Sequence, residues 1–344
     1  MLKKISQHIT PFGGISFVHD MFKRSGLRKL IDKELGMRVS TCGYTYGTLW
    51  GNWFDLFLCG GDCAEDIEEH LHETLSAIPG NKVSKADTLL RCLKELSVEN
   101  TPFESDSGIT YQFNINEKIN SLMIKSLLLT GQLQKGQFYD FDYDNQIIVH
   151  EKYDAKRTYK KTTGYFPGIC AIGDQVVYIE NRDGNANVKT EQAQTLTNAY
   201  QLLEANELKV YRSRMDAGSY AKDIIEVVAA HSELFYIRAN RCESLTERIR
   251  QIEKWETVEI NFKEYQVASL PFTQFFEDRN YRLVVMREKS DDPQLDLFTG
   301  DHFIYRCILT NDHESSEKEV IEYYNQRGSS EKNLPPDALP NSSL

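Results

Sequence analysis

The chain has 344 residues, 40% hydrophobic and 11% aromatic, enough for two or three domains with sizeable cores, which excludes disorder as the main state. Forty basic against 51 acidic residues give a net charge of -11, which disfavours a phosphate-rich partner unless local charge departs from the total. The opening MLKKISQHITPFGG has no apolar targeting core, and the longest apolar run, TLWGNWFDLFLCGG, is interrupted by Asn52 and Asp55 and is too short to span a bilayer. Seven scattered cysteines, with no CxxC and no Cys/His cluster, fit neither a zinc site nor a disulfide framework, so a cytoplasmic protein without a membrane partner is expected.

From Phe17 to about Leu129 the apolar residues fall at helical spacing, as in MFKRSGLRKLIDKELG and KADTLLRCLKELSVE, the second with Ser84 placed to cap it. This predicts an all-helical N-terminal domain over 1–133, ended by Gly131 and Gly136. Strand-like runs follow in QFYDFDYDNQIIVH, YFPGICAIGDQVVYIENRDG and LKVYRSRMDAG. Helical patterns in VKTEQAQTLTNAYQLLEAN and SYAKDIIEVVAAHS separate them, so residues 134–333 read as an α/β domain with a mixed sheet. Within it, about 234–314 reads as a β-rich insertion. Ser316 and Glu319 have the spacing of a capping box, which predicts a last helix, and Pro335 and Pro336 mark 334–344 as an irregular tail.

The stretch YDFDYDNQIIVHE, residues 139–151, has two readings. As a calcium loop it offers Asp140, Asp142, Asp144 and Glu151 at suitable positions, but Asn145 stands where glycine is needed and no helix is expected on either side. As a strand it puts the three aspartates on one face and Phe141 and Tyr143 on the other. Crowded carboxylates then either hold a hard divalent ion, magnesium or manganese, or face water at a sheet edge. Asp216, at the end of a strand before a Gly turn, suits a catalytic acid or a helix cap. Tyr324, Arg327 and Glu331 share one face of the last helix. The basic run KYDAKRTYKK, interleaved with Tyr153 and Tyr159, is a solvated loop or a DNA contact through Lys156, Arg157, Lys160 and Lys161.

Taken together, YDFDYDN, GYFPGICAI, RMDAGSY and YNQRGSSE, in that order, resemble the motifs of DDE transposases of bacterial insertion sequences, in the branch with a tyrosine, arginine, glutamate, lysine signature. The phrases ITPFGGISFV, GDCAEDIEEHL and SKADTLLRCLKEL extend the resemblance over nearly all of residues 8–333. The resemblance implies a ribonuclease-H-like core of the retroviral-integrase kind, preceded by a helical domain that binds DNA ends. It also implies metal-dependent cleavage and strand transfer of double-stranded DNA at terminal inverted repeats and in target DNA, with two Mg²⁺ or Mn²⁺ ions and a homodimer in the DNA complex. Catalysis and metal binding would fall to Asp142, with Asp140 as rival, and to Asp216 and Glu331; Tyr324 and Arg327 would match the signature and position DNA. Nucleoid association would follow, and the insertion would help form or protect a DNA hairpin. The signature lysine is replaced by Ala338, which implies a copy shortened at its C-terminus and, with it, a DNA-binding remnant as the alternative.

Overall fold

A computed structural model describes residues 10–38, 43–105, 107–240, 242–276, 278–289 and 302–327. Glu331, Ala338 and the tail over 334–344 lie outside the described residues. The chain divides into two compact units, Met1–Glu99 with Asn116–Gln134, and Asn100–Ile115 with Lys135–Leu344.

Among its described residues the first unit is helical: α1 (Ile15–Arg24), α2 (Leu27–Leu35), α3 (Tyr46–Leu58), α4 (Asp66–Glu69), α5 (His72–Ser76), α6 (Ala86–Glu95) and α7 (Glu117–Leu129). The interrupted apolar run forms α3, and its small residues let neighbours approach. A Cβ on Gly47 would lie 2.4 Å from the Arg28 carbonyl oxygen, and one on Gly51 would lie 3.2 Å from the Phe22 ring. The two polar interruptions find partners in place: one Asp55 oxygen sits 2.8 Å from the His19 ring nitrogen, and Asn52 donates to the Lys82 carbonyl and accepts from the Ser84 amide. That amide bond displaces the expected cap, so Lys85 takes the N-cap position of α6 and Ser84 is buried behind it.

Residues 100–115, read from sequence as part of the helical region, instead form a hairpin, β1 (Thr101–Glu104) and β2 (Thr110–Asn114), in the second unit. Their alternation suits a sheet edge, and Ser105 with Gly108, at φ 75°, closes the turn. The unit continues with β3 (Phe138–Asn145), β4 (Ile148–Val149), β5 (Lys156–Arg157), β6 (Thr163–Tyr165), β7 (Gly168–Ile172), β8 (Gln175–Arg182), α8 (Gln192–Ala205), β9 (Lys209–Met215), α9 (Lys222–His231) and β10 (Leu234–Ala239). Then come α10 (Glu243–Arg250), β11 (Glu256–Ile260), β12 (Lys263–Phe272), β13 (Tyr281–Lys289), β14 (Phe303–Thr310) and α11 (Glu317–Asn325). The fold is mixed α/β, with an eleven-stranded sheet in the order β1-β2-β8-β7-β3-β9-β10-β14-β13-β12-β11.

Chain order explains that sheet. β3, β7 and β8 form an antiparallel meander, and α8 and α9 carry the chain back so that β9 and β10 lie parallel to β3. Leu234–Ala239, expected to open the insertion, is thus the parallel neighbour of β9, and the antiparallel strands that extend the sheet begin with β11. Tyr200 of α8 packs 4.7 Å from Phe141 on one face of the sheet. On the other, Val320, Ile321 and Tyr323 of α11 pack with Tyr236, Val284 and Ile308. The capping box at the start of α11 forms as its spacing predicts. Among the described residues no helix is long and apolar enough to cross a membrane.

The GYFPG segment is read by backbone contacts: a Cβ on Gly164 would lie 2.1 Å from the Ile148 carbonyl oxygen, and one on Gly168 2.5 Å from the Tyr143 hydroxyl. Behind it Arg182 is fully buried, donating to Glu180 and to the Val188 and Thr190 carbonyls, with its guanidinium 5.1 Å from the centre of the Phe113 ring. Burial pushes the Glu180 carboxyl up to about 7, against the pull of Arg182. Replacing Arg182 with Met strands that carboxylate and is expected to cost roughly 3–5 kcal/mol in urea denaturation above neutral pH. A carboxyl whose folded value is raised contributes stability below its unfolded value, and loses it as pH rises through the folded one. The Arg182→Met deficit therefore shrinks towards about pH 5, and a deficit that is the same across this range would refute the pairing.

Candidate active site

The acidic strand and the strand beside it carry matching alternations: Asp140, Asp142 and Asp144 on β3, and Arg212, Arg214 and Asp216 along and just beyond β9. Parallel pairing puts Asp140 opposite Arg212 and Asp142 opposite Arg214. Arg212 donates to both Asp140 oxygens at 2.8 and 2.7 Å, and Arg214 does the same to Asp142 at 2.8 and 2.7 Å. Such forked bonds are the strong geometry for this pair of groups. The Tyr323 ring of α11 lies under both guanidiniums, at 4.0 and 4.8 Å, and its carbonyl accepts from Arg214.

The next position breaks the series. The pairing ends with Tyr143 opposite Met215, and Asp144 and Asp216 are the residues that follow each. Asp144 has 46% of its side chain exposed, against 9% for Asp142. Asp216 is half-buried and accepts from the Gly218 amide at 2.9 Å, capping the short 3₁₀ turn Ala217–Ser219; α9 begins later. The cap and acid readings of Asp216 are therefore compatible.

The last helix reaches the same place. The Tyr324 hydroxyl donates to the Met215 carbonyl at 3.2 Å, and Arg327 contacts Asp144 at 3.0 Å and the Tyr143 carbonyl at 3.3 Å. Burial pushes the Tyr324 hydroxyl up to about 12; Arg327 and Arg238 pull it down while Asp216 and Asp144 push it up, so charges of both signs surround it. The fold thus assembles Asp144, Asp216, Tyr324 and Arg327 at the C-terminal ends of β3 and β9.

The other expected residues are placed as follows. Asp142 is held in its pair with Arg214 and Asp140 in its pair with Arg212, so neither carboxylate is open. A strand with arginine-paired aspartates is also no calcium loop. Lys156, Arg157, Lys160 and Lys161 are exposed on or beside a small sheet, β4-β6-β5, between β3 and β7, with Tyr153 and Tyr159 exposed among them. Sequence reasoning missed Asp144 as more than a face-mate, and missed Arg212 and Arg214. The signal was present: two runs alternating with the same period, one acidic and one basic until its last member.

No protein-family model matches the chain, and no curated protein matches it. Among solved structures it is similar to a piggyBac transposase, determined by cryo-EM in a synaptic complex with hairpin DNA, with a TM-score of 0.40 and 12% identity, covering 93% of this chain and 67% of that one.

The two classes of aspartate separate in stability. Asp142→Asn leaves Arg214 as a buried charge with half its partner, and is expected to destabilise by roughly 2–4 kcal/mol. Asp144→Asn keeps an oxygen for Arg327 at a half-exposed position, so it is expected to cost no more than about 1 kcal/mol. Thermal and urea denaturation of the two variants measure the difference; equal losses would contradict these roles.

Proposed function

We propose that the second unit is the ribonuclease-H-like core of a DDE-type transposase, and that it cuts and joins DNA by metal-dependent phosphoryl transfer. The observation that carries this reading is the meeting of Asp144, half-exposed and held by Arg327 at the end of β3, with Asp216 just beyond the paired end of the adjacent parallel strand. Two carboxylates at neighbouring strand ends, with the Arg327 guanidinium on only one of them, favour a divalent cation. Hard carboxylate oxygens fit Mg²⁺ or Mn²⁺, and Cys or His ligands, which would favour zinc, are absent from the pair. In this reading Asp144 takes the place expected of Asp142, because the Arg214 fork occupies both Asp142 oxygens. Glu331 is the proposed third carboxylate.

Asp144 and Asp216 would hold such ions, which would supply activation of the attacking water or 3′-hydroxyl and stabilisation of the leaving oxygen. The chain itself supplies position. The Gly218 amide orients Asp216, and the Tyr324 hydroxyl ties the last helix to the residue before Asp216. Arg327 stands beside Asp144, where a guanidinium suits a phosphate oxygen as well as a carboxylate. Double-stranded DNA at terminal inverted repeats and in the target is the proposed substrate, bound as a homodimer, with the helical unit engaging the element's ends. Lys156, Arg157, Lys160 and Lys161 offer the local positive charge that the net charge of -11 lacks.

Purified full-length protein with Mg²⁺ and duplexes copied from the DNA flanking its gene tests this. Asp144→Asn and Asp216→Asn are each expected to lower strand cleavage by at least about 10²-fold while leaving duplex binding near wild type. Cleavage that survives both changes would sink the catalytic assignment. Binding without cleavage in the wild type would leave a DNA-binding remnant.

A further inference from the structure

β10 extends the register by one strand. Ile237 lies opposite Met215, so Arg238 falls beside Asp216 on the side away from Asp144. The row at the ends of the three parallel strands is then Asp144, Asp216, Arg238. Arg238 is exposed and its side chain makes no hydrogen bond or ion pair among the described residues, whereas the side chains of Arg212, Arg214, Arg306 and Arg327 in the same unit are all engaged. An arginine left unpaired beside a carboxylate row has its five donors available to an incoming anion.

Arg238 also lines a cavity of about 180 Å³ between α11 and the sheet, together with Arg306, Asn261 and Asn325 as polar walls and Ile260 and Met286 as apolar ones. Tyr324 lines it too, so the cavity adjoins the residues that hold α11 against β9. A pocket of that size accepts a phosphodiester group and part of its sugar but not a duplex. Arg306 is paired with Glu288, so Arg238 is the arginine of its wall free to meet an anion, and the Asn261 and Asn325 amides supply neutral donors, which suits a phosphate oxygen.

We propose that this cavity is a phosphate subsite for the DNA strand, with Arg238 as the positioning residue that holds the phosphodiester next to the one being cut. The inference rests on the transposase reading above. Metal bound at the carboxylates attracts the phosphate that is cut, and a strand drawn across them also needs a fixed cation at a neighbouring phosphate to keep its register. Arg238 stands at that place in the row, and no other described side chain of the three parallel strands' ends offers a cation there.

The test measures binding of a fluorescein-labelled single strand from the gene's flanking DNA to full-length protein in Mg²⁺-free buffer over a range of salt. Wild type, Arg238→Ala and Arg238→Lys are compared. The alanine variant is expected to bind about tenfold more weakly and to lose about 0.7 from the slope of log affinity against log salt; the lysine variant keeps the slope and loses part of the affinity. In strand cleavage, Arg238→Ala is expected to raise KM more than it lowers kcat, the signature of lost positioning rather than lost chemistry. Wild-type affinity and slope in Arg238→Ala, with the wild type cutting DNA normally, would overturn the subsite and leave the transposase reading intact. A wild type that binds no DNA would overturn both.

Discussion

Two forked ion pairs between neighbouring parallel strands organise the candidate site. Asp140 with Arg212 and Asp142 with Arg214 are directly opposite each other, so a slip of one residue would turn every member to the wrong face and leave four charges without partners. The register of β3 against β9 is therefore strongly specified. Once it is, Asp144 and Asp216 come next beyond the paired ends of the two strands, where Arg327 and the Gly218 amide hold them. The same pairs position the last helix, because the Tyr323 ring lies under both guanidiniums and its carbonyl accepts from Arg214. Tyr324 and Arg327, one and four residues on, are delivered to the strand ends by that anchor.

This arrangement separates stability from chemistry along a single strand. The inner aspartates are each held by a two-bond arginine fork and hold the fold together, while the outer one is half-exposed and meets Arg327 of the last helix. The charge of the whole chain is a poor guide to such a place. A net charge of -11 coexists with an exposed basic strand pair and an unpaired arginine next to the carboxylates. Close contacts decide the local field, and screening makes distant charge count for little.

Glycine does a second kind of positioning. At Gly164 and Gly168 a side chain would run into the Ile148 carbonyl and the Tyr143 hydroxyl, so the turn from the small sheet into β7 is possible only with bare backbone. The buried Arg182 behind it closes off the carbonyls of the loop that leads into α8. These features place β7 against β3 and so fix the other flank of the acidic strand.

Local pattern determined a good deal. The period-two alternation of YDFDYDN set a strand with its aspartates on one face, and Ser316 with Glu319 set the start of the last helix through bonds made within one turn. Asp216 was legible as the end of a strand because glycine and serine follow it. What the pattern could not supply was partnership. Whether an aspartate is a structural or an open carboxylate depends on which residue lies across the strand, and that partner is 72 residues away in the sequence. The hairpin at 101–114 was misread for the same reason, since its short strands are stabilised by an edge, β8, that forms from residues far along the chain. Spacing along the chain determined which residues share a face; only the tertiary pairing decided which charges on that face cancel, because cancellation requires contact between strands.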